Sequence, residues 1–339
     1  MNKDNKSINL SMLADYYEFT MANGYIANGV ADTEAVFDMF FRKVPDNGGF
    51  AIAAGLEQVI EYIENLKFTE DDIDYFKSKK IFSEEFLDFL RNFKFTCDVW
   101  AVEEGTPVFP KEPIIIVKGP VKEAQIMETM ILLTINYQSL IATKASRIVR
   151  VAKGRAISEF GSRRAQASEA AILGARAAYI GGAKATANTI TDKFFGVPAT
   201  GTMAHSWVQM YDTELEAFRA YAKVYPDSCV LLVDTYNTLE EGIPNAIKVF
   251  DELRANGHEG VGIRIDSGDL AYLSKKARKM LDEAGYPDVK IMVSNSLDEY
   301  VIKDLLGQGA QIDGFGVGER LITSRSEPVF GGVYKLVST

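Results

Sequence analysis

The chain contains two histidines in different settings. His258 sits in a polar Asn-Gly-His-Glu-Gly turn, whereas His205 sits in residues 199–208, Ala-Thr-Gly-Thr-Met-Ala-His-Ser-Trp-Val. An imidazole can take a proton, give one, or act as a nucleophile, and Gly201, Thr202 and Ser206 surround it with bare backbone N–H groups and hydroxyls. A solitary histidine is more often a hydrogen-bonded core residue, so the reading depends on what the fold gathers around it. Three further stretches could handle anions. Arg163-Arg164 can clamp phosphate or carboxylate oxygens in fork geometry, or form a surface ion-pair cluster. Arg264-Ile-Asp266-Ser-Gly-Asp269 offers one more guanidinium and two hard oxygen donors suited to Mg²⁺ shared with substrate phosphates. Its simpler reading is a helix cap at Ser267. Gly314-x-Gly316-x-Gly318 frees backbone N–H groups for a phosphate, a weak signal when taken alone.

From Gly154 onward, short apolar runs alternate with amphipathic segments. Strands are expected at 156–160, 184–188, 199–203, 229–234, 261–265, 289–293 and 312–317. The helices between them carry start signals: Thr213 with Glu216, Thr238 with Glu241, Ser267-Gly-Asp269, and Ser296 with Glu299. Such alternation implies parallel βαβ units and an irregular TIM-like α/β barrel, with a doubly wound open sheet as the alternative. In either form the site lies at the carboxyl ends of the strands. The residues following the strands are polar throughout: Arg163, Thr202, His205, Ser206, Asp234, Thr235, Arg264, Asp266, Asp269, Ser294, Gly316, Gly318 and Thr323. Together they describe a site for a phosphorylated, magnesium-bound substrate with an anionic partner. A barrel aldolase would need a Schiff-base lysine at a strand end, and Lys184 begins its strand.

The first half reads differently. Residues 1–9 are polar and read as a frayed end. A helix is expected over 11–25, where Tyr17 by pattern alone is a core aromatic, then a strand over 34–42 and a helix over 50–66. Thr69 and Ser83 open two helices that are acidic outside and aromatic inside. Proline-rich β segments follow at 96–102, 106–109 and 113–119. One long helical pattern over 123–151, with a break near Tyr137, reads as a bridge. The expected organisation is an N-terminal α+β domain over 1–122, a connecting helix over 123–153 and the barrel domain over 154–339.

At 339 residues, 47% apolar and 25% charged, the composition is globular. A net charge of −10 argues against bulk affinity for nucleic acid or an anionic membrane, so any phosphate site must be local. No apolar run approaches the ~18 residues of a membrane helix. Two widely separated cysteines and no apolar run behind the polar N-terminus imply a cytoplasmic protein.

Five stretches carry a resemblance: Ala14-Asp15-Tyr16-Tyr17-Glu18-Phe19-Thr20-Met21, Glu159-Phe160-Gly161-Ser162-Arg163-Arg164-Ala165-Gln166, Gly201-Thr202-Met203-Ala204-His205-Ser206, Arg264-Ile265-Asp266-Ser267-Gly268-Asp269-Leu270 and Gly331-Gly332-Val333-Tyr334-Lys335-Leu336-Val337. In this order they resemble the nicotinate phosphoribosyltransferase family, with Ala14 where the family usually has threonine. The resemblance implies a type II phosphoribosyltransferase fold. It implies conversion of nicotinate and phosphoribosyl pyrophosphate to nicotinate mononucleotide and pyrophosphate, coupled to ATP hydrolysis and assisted by Mg²⁺, in NAD biosynthesis. It further implies that His205 is transiently phosphorylated and that Tyr17 stacks on the nicotinate ring across a homodimer interface. Thr202 and Arg264 would hold nicotinate, Arg163 the anionic substrates and Thr323 the phosphoribosyl phosphate. Family members usually continue beyond the stretch matching 331–337 with a tail that returns to the N-terminal domain, so the chain is expected to be either a short form or one lacking its C-terminal part. A relative using nicotinamide or quinolinate is the close alternative, since nicotinamide lacks the carboxylate that Arg264 would recognise.

Overall fold

The computed structural model describes residues 9–339. The frayed end read at residues 1–9 therefore lies outside the described residues except for Asn9. That residue is anchored, its side-chain amide donating to the Lys67 carbonyl and to Asp72 Oδ2, each at 3.0 Å. The chain forms two compact units, residues 1–143 with 329–339, and residues 144–328.

The first unit contains, in chain order, α1 (Tyr16–Ala27), β1 (Glu34–Phe41), β2 (Ala51–Ile52), α2 (Leu56–Asn65), α3 (Glu70–Ser78), α4 (Glu84–Arg91), β3 (Asp98–Ala101), β4 (Pro107–Val108), β5 (Ile115–Pro120) and α5 (Val121–Gln125). α6 (Glu128–Val151) begins here and runs past the division after Thr143. β1 alternates as a half-covered strand must: Ala35, Phe37, Met39 and Phe41 are buried. It is central to an antiparallel sheet in which β5 and then β3 lie on one side. On its other side runs the chain's last strand, Gly332–Ser338, where Tyr334 stacks on Phe37 at 4.8 Å between ring centroids. The barrel reading of 154–339 is thus corrected at its end, because these residues complete the N-terminal sheet. Thr69 and Ser83 cap α3 and α4 as their types suggest. Phe76 meets Phe19, Phe82 and Phe86 in an aromatic core, where each fully buried ring stabilises by roughly 1.5–3 kcal/mol.

Two expected helices change. The helix at 50–66 starts only at Leu56, because Ala51 and Ile52 pair with β4. Gly55 makes the turn at φ 106°, where an added Cβ would lie 2.9 Å from the Thr134 carbonyl oxygen. The long helix breaks between α5 and α6 at Ile126–Met127, whereas α6 runs unbroken through Tyr137.

The second unit continues with β6 (Ala156–Glu159), α7 (Ser168–Ile180), β7 (Ala185–Thr186), α8 (Thr189–Phe195), α9 (His205–Gln209), α10 (Glu214–Val224), β8 (Val230–Leu232), α11 (Ile243–Ala255), β9 (Gly262–Ile265), α12 (Leu270–Glu283), β10 (Lys290–Ser294), α13 (Glu299–Gly307), β11 (Gly314–Val317) and α14 (Glu319–Ile322). Six strands form one parallel sheet in the order β7-β6-β11-β10-β9-β8. Read as a ring, that order is chain order, which is how a barrel winds. β11 is buried at all four positions, as a strand covered on both faces must be. The ring is irregular: the strand expected at 199–203 shrinks to a single bridge from Ala199 to Thr186. This is the irregular TIM-like α/β barrel, and the other unit is α+β.

Capping follows the expectation at Thr213 with Glu216 and departs from it elsewhere. Asn237 caps the single π-turn that leads into α11, in place of Thr238 with Glu241. Asp298 caps α13 through the N–H groups of Tyr300 and Val301, in place of Ser296. Asp269, and not Ser267, caps α12. In all three a side-chain oxygen at the first turn takes free N–H groups, one or two residues away from the expected position.

Candidate active site

The carboxyl ends of β8, β9 and β10 gather one connected polar cluster. His205 is the first residue of α9, and its ring is 40% exposed, so it can be reached from solution. Its Nδ1 lies 3.1 Å from the Thr235 hydroxyl and its Nε2 3.8 Å from Asp266 Oδ2. These two neighbours fix the plane of the ring from both sides. Asp266 is fixed in turn: its Oδ1 accepts a short hydrogen bond from the Ser294 hydroxyl. Asp234, buried behind it, accepts from the Asp266 N–H at 2.8 Å and the Ser267 hydroxyl at 2.7 Å through the same Oδ2. The second oxygen, Oδ1, is buried with no hydrogen-bond partner among the described residues. A buried carboxylate oxygen left bare is costly, so this one is suited to a cation or a donor brought by a ligand.

Arg264 connects this cluster to the residues before His205. Its Nη1 donates to the Thr202 hydroxyl at 2.7 Å and its Nη2 to the Met203 carbonyl at 2.8 Å. Those two bonds explain the lost strand: Thr202 and Met203 are held by a guanidinium and not by a neighbouring ladder. The Arg264 Nε is also buried without a partner. Burial holds the pKa of this guanidinium below its ordinary value, Asp266 and Asp234 oppose that shift, and Arg163 adds to it. Arg163 thus lies within electrostatic range, on a 3₁₀ turn at Ser162–Arg164 and exposed.

The other expected residues fare unevenly. Ser206 is exposed beside His205. Asp269 is committed, its Oδ1 accepting from the Tyr272 N–H at 2.9 Å. Thr323 donates its hydroxyl to the Glu319 carbonyl at 2.7 Å, at the end of α14. Gly316 and Gly318 are required first by packing: a Cβ at Gly316 would come within 2.5 Å of the Phe160 ring, and one at Gly318 within 3.2 Å of the Phe160 carbonyl oxygen. Tyr17 belongs to the first unit and is 43% exposed, contrary to its reading by pattern as a core aromatic.

Glu159 was not singled out by sequence. Fully buried at the end of β6, it accepts from the Gly161 N–H and from the Thr186 hydroxyl at 2.8 Å. It therefore braces the turn carrying Arg163 against β7. Burial raises its carboxyl pKa, and the two hydrogen bonds oppose the rise. The available signal was a carboxylate inside the expected strand Ala-Ile-Ser-Glu-Phe. Thr235 and Ser294 stood among the strand-end residues without an assigned role.

A parallel α/β barrel with a reachable imidazole, a desolvated guanidinium and paired carboxylates at its strand ends belongs to the barrels equipped for anionic substrates. Residues 12–136 match the nicotinate phosphoribosyltransferase N-terminal domain, and residues 155–335 match the nicotinate phosphoribosyltransferase family. The nicotinate phosphoribosyltransferase of Bacillus subtilis (strain 168) is 49% identical over 333 residues, covering 98% of this chain and 68% of that protein. Nicotinate phosphoribosyltransferase pncB2 of Mycobacterium tuberculosis is 44% identical, covering 97% of this chain and 70% of that protein. The crystal structure of human nicotinic acid phosphoribosyltransferase superimposes with a TM-score of 0.86 at 30% identity, covering 96% of this chain and 74% of that one. The chain belongs to the nicotinate phosphoribosyltransferase family.

Among the described residues, no helix is long and apolar enough to cross a membrane.

Proposed function

We propose that this protein transfers the phosphoribosyl group of phosphoribosyl pyrophosphate to nicotinate, coupled to ATP hydrolysis through a phosphohistidine at His205. The observation that carries the reading is the His205 ring, exposed on one side and oriented by Thr235 and Asp266. The nicotinate nitrogen attacks the anomeric carbon, a C–N bond forms, and the C–O bond to pyrophosphate breaks with its electron pair leaving on oxygen. Charge develops on both the sugar and the leaving group, so positioning and electrostatic stabilisation do most of the work.

Arg264 and Thr202 are the candidates for the nicotinate carboxylate. The guanidinium is already desolvated, so a carboxylate that replaces its Thr202 or Met203 bond gains a strong charge-assisted contact. Arg163 and Ser206 would take phosphate oxygens, as would the backbone at Gly316 and Gly318, and the Thr323 hydroxyl would do so by leaving the Glu319 carbonyl. Asp266 and the bare Oδ1 of Asp234 fit Mg²⁺ better than Asp269 does, because Asp269 is occupied by its helix cap. The bound ion would neutralise charge on the departing pyrophosphate.

In the coupling step an imidazole nitrogen of His205 bonds to the γ-phosphorus of ATP, and the phosphorus–oxygen bond to ADP breaks. Water later takes the phosphoryl group as inorganic phosphate. The phosphoryl group brings a charge of roughly −1.5 to −2 beside Asp266, so the polar cluster must reorganise between the two states. Tyr17 is proposed to stack on the nicotinate ring from the partner of a homodimer, with the whole enzyme serving cytoplasmic NAD biosynthesis.

Pyrophosphate release from nicotinate and phosphoribosyl pyrophosphate, with and without ATP, tests the reading, and nicotinamide in place of nicotinate tests the carboxylate contact. His205→Ala should retain slow transfer and lose stimulation by ATP. Full ATP stimulation in that variant would exclude the phosphohistidine.

A further inference from the structure

Lys144, on α6, and Glu299, the first residue of α13, are both buried in the second unit. The Lys144 Nζ lies 2.9 Å from each carboxylate oxygen of Glu299. Arg147, about one turn further along α6, places its Nη2 3.0 Å from Glu299 Oε1. The Lys144 ammonium also donates to the Ser326 hydroxyl at 2.7 Å. One amine therefore joins three segments: α6, the start of α13 and the turn that follows α14.

The neighbouring residues extend the tie. Asp298, immediately before Glu299, accepts from Arg320 Nη1 at 2.5 Å through Oδ2, while its Oδ1 caps α13. Arg320 is the second residue of α14, two residues after Gly318. The loops after β10 and β11 leave the sheet level with one another, because Ser294 pairs with Gly316. The first loop turns through Asn295 at φ 89° and Ser296 at φ 50°, and the turn after α14 passes through Ser324 at φ 42°. Residues other than glycine hold left-handed backbone only where their surroundings dictate it. Exchanging a buried ion pair for apolar side chains is often neutral for stability, so stability alone does not account for this one.

We propose that Lys144 and Glu299 are positioning residues for phosphoribosyl pyrophosphate. With Ser326 and the Asp298–Arg320 pair, they hold the loops following β10 and β11 in one frame. The backbone at Gly316 and Gly318 and the Thr323 hydroxyl then keep their places before substrate arrives. The inference rests on the reading that those groups take its phosphate oxygens.

The test is steady-state kinetics of the full chain at saturating ATP and Mg²⁺. Ser326→Ala cuts the link to the turn and leaves the buried pair whole. Lys144→Met combined with Glu299→Leu replaces the pair by apolar side chains, a change that such sites commonly absorb without loss of stability. Loss of a hydrogen bond to a charged group predicts that either protein raises the phosphoribosyl pyrophosphate KM about tenfold. The kcat and the nicotinate KM should stay within about twofold, the pattern of lost binding and not of lost chemistry. Ser326→Thr keeps a hydroxyl and should restore most of the affinity. If urea transitions show that the paired replacement does not fold, Ser326→Ala decides alone. An unchanged phosphoribosyl pyrophosphate KM in either protein, equal losses for both substrates, or a Ser326→Thr as weak as Ser326→Ala would overturn the positioning role. Thr323→Val separates the two layers: an unchanged phosphoribosyl pyrophosphate KM there removes the phosphate reading of this loop and the inference with it. An impaired Thr323→Val alongside a silent Ser326→Ala removes the inference alone.

Discussion

The buried carboxyl of Glu18 supplies a prediction with a definite sign. Burial raises its pKa from 4.5 to about 7, against the hydrogen bonds from Thr129 and Asp15 that favour the anion. Between those two values the folded state keeps a proton that the unfolded chain releases. Stability contributed by this group is therefore complete below about pH 4.5, falls as pH rises, and levels off above about pH 7. At ~1.36 kcal/mol per tenfold change in proton affinity, the fall is roughly 3 kcal/mol. Glu18→Gln keeps an acceptor oxygen toward Asp15 and Thr129 and cannot ionise, so it should not show that fall. The two proteins should be close in stability near pH 5, with the variant ahead by up to about 3 kcal/mol near pH 8. The measurement is a series of urea transitions from pH 5 to 8.5, in a Trp207→Phe background so that Trp100 alone reports the first unit. Taking the difference between the two proteins cancels other groups, such as Glu214, whose pKa burial raises to about 6. A pH-independent difference, or a wild type that gains on the variant as pH rises, would refute the reasoning.

Two further changes probe the barrel. Glu159→Ala leaves the Gly161 N–H and the Thr186 hydroxyl buried without their acceptor. It should destabilise by roughly 2–4 kcal/mol in denaturant and raise the phosphoribosyl pyrophosphate KM, because the turn carrying Arg163 loses its brace. A stable variant with unchanged KM would show that the turn holds itself. Gly316→Ala places a methyl group within 2.5 Å of the Phe160 ring and should cost about 1–3 kcal/mol of thermal stability. A full-stability Gly316→Ala with weakened phosphate binding would move that glycine from packing to ligand contact.

The barrel was legible because its evidence is periodic and repeated. Each apolar run followed by a capped amphipathic segment is a βαβ unit, and chain order alone then implies the order of strands around the ring. The first unit was harder to read for physical reasons. Residues 51–52 lie beside a good helix pattern, and only pairing with Pro107–Val108, more than fifty residues away, makes them a strand. The last strand carries no signal in its own composition that its partner is β1 rather than a barrel strand. Helix starts failed where several cap-forming residues were adjacent: Ser296 and Asp298 are both competent, and the loop path chooses between them.

The site divides along the same line. Which residues stand at the strand ends follows from the barrel, so His205, Arg264 and Asp266 could be picked out from sequence. How their side chains pair does not follow from it. His205 precedes Thr235 by thirty residues and Asp266 by sixty-one, and each enters the cluster on a separate βα loop. Their meeting depends on strand register: β8 sets Val230 against Gly262 and β9 sets Gly262 against Lys290, which brings Asp234, Asp266 and Ser294 to a common level. A shift of one residue in either ladder would turn one of these side chains to the opposite face. Asp269 illustrates the converse. It has the same chemistry as Asp266 and stands three residues on, but it lies where α12 begins, and the free N–H of Tyr272 takes its oxygen. Residue type and spacing therefore nominate ligands, while the competing demand of a helix end for acceptors decides which carboxylates stay available.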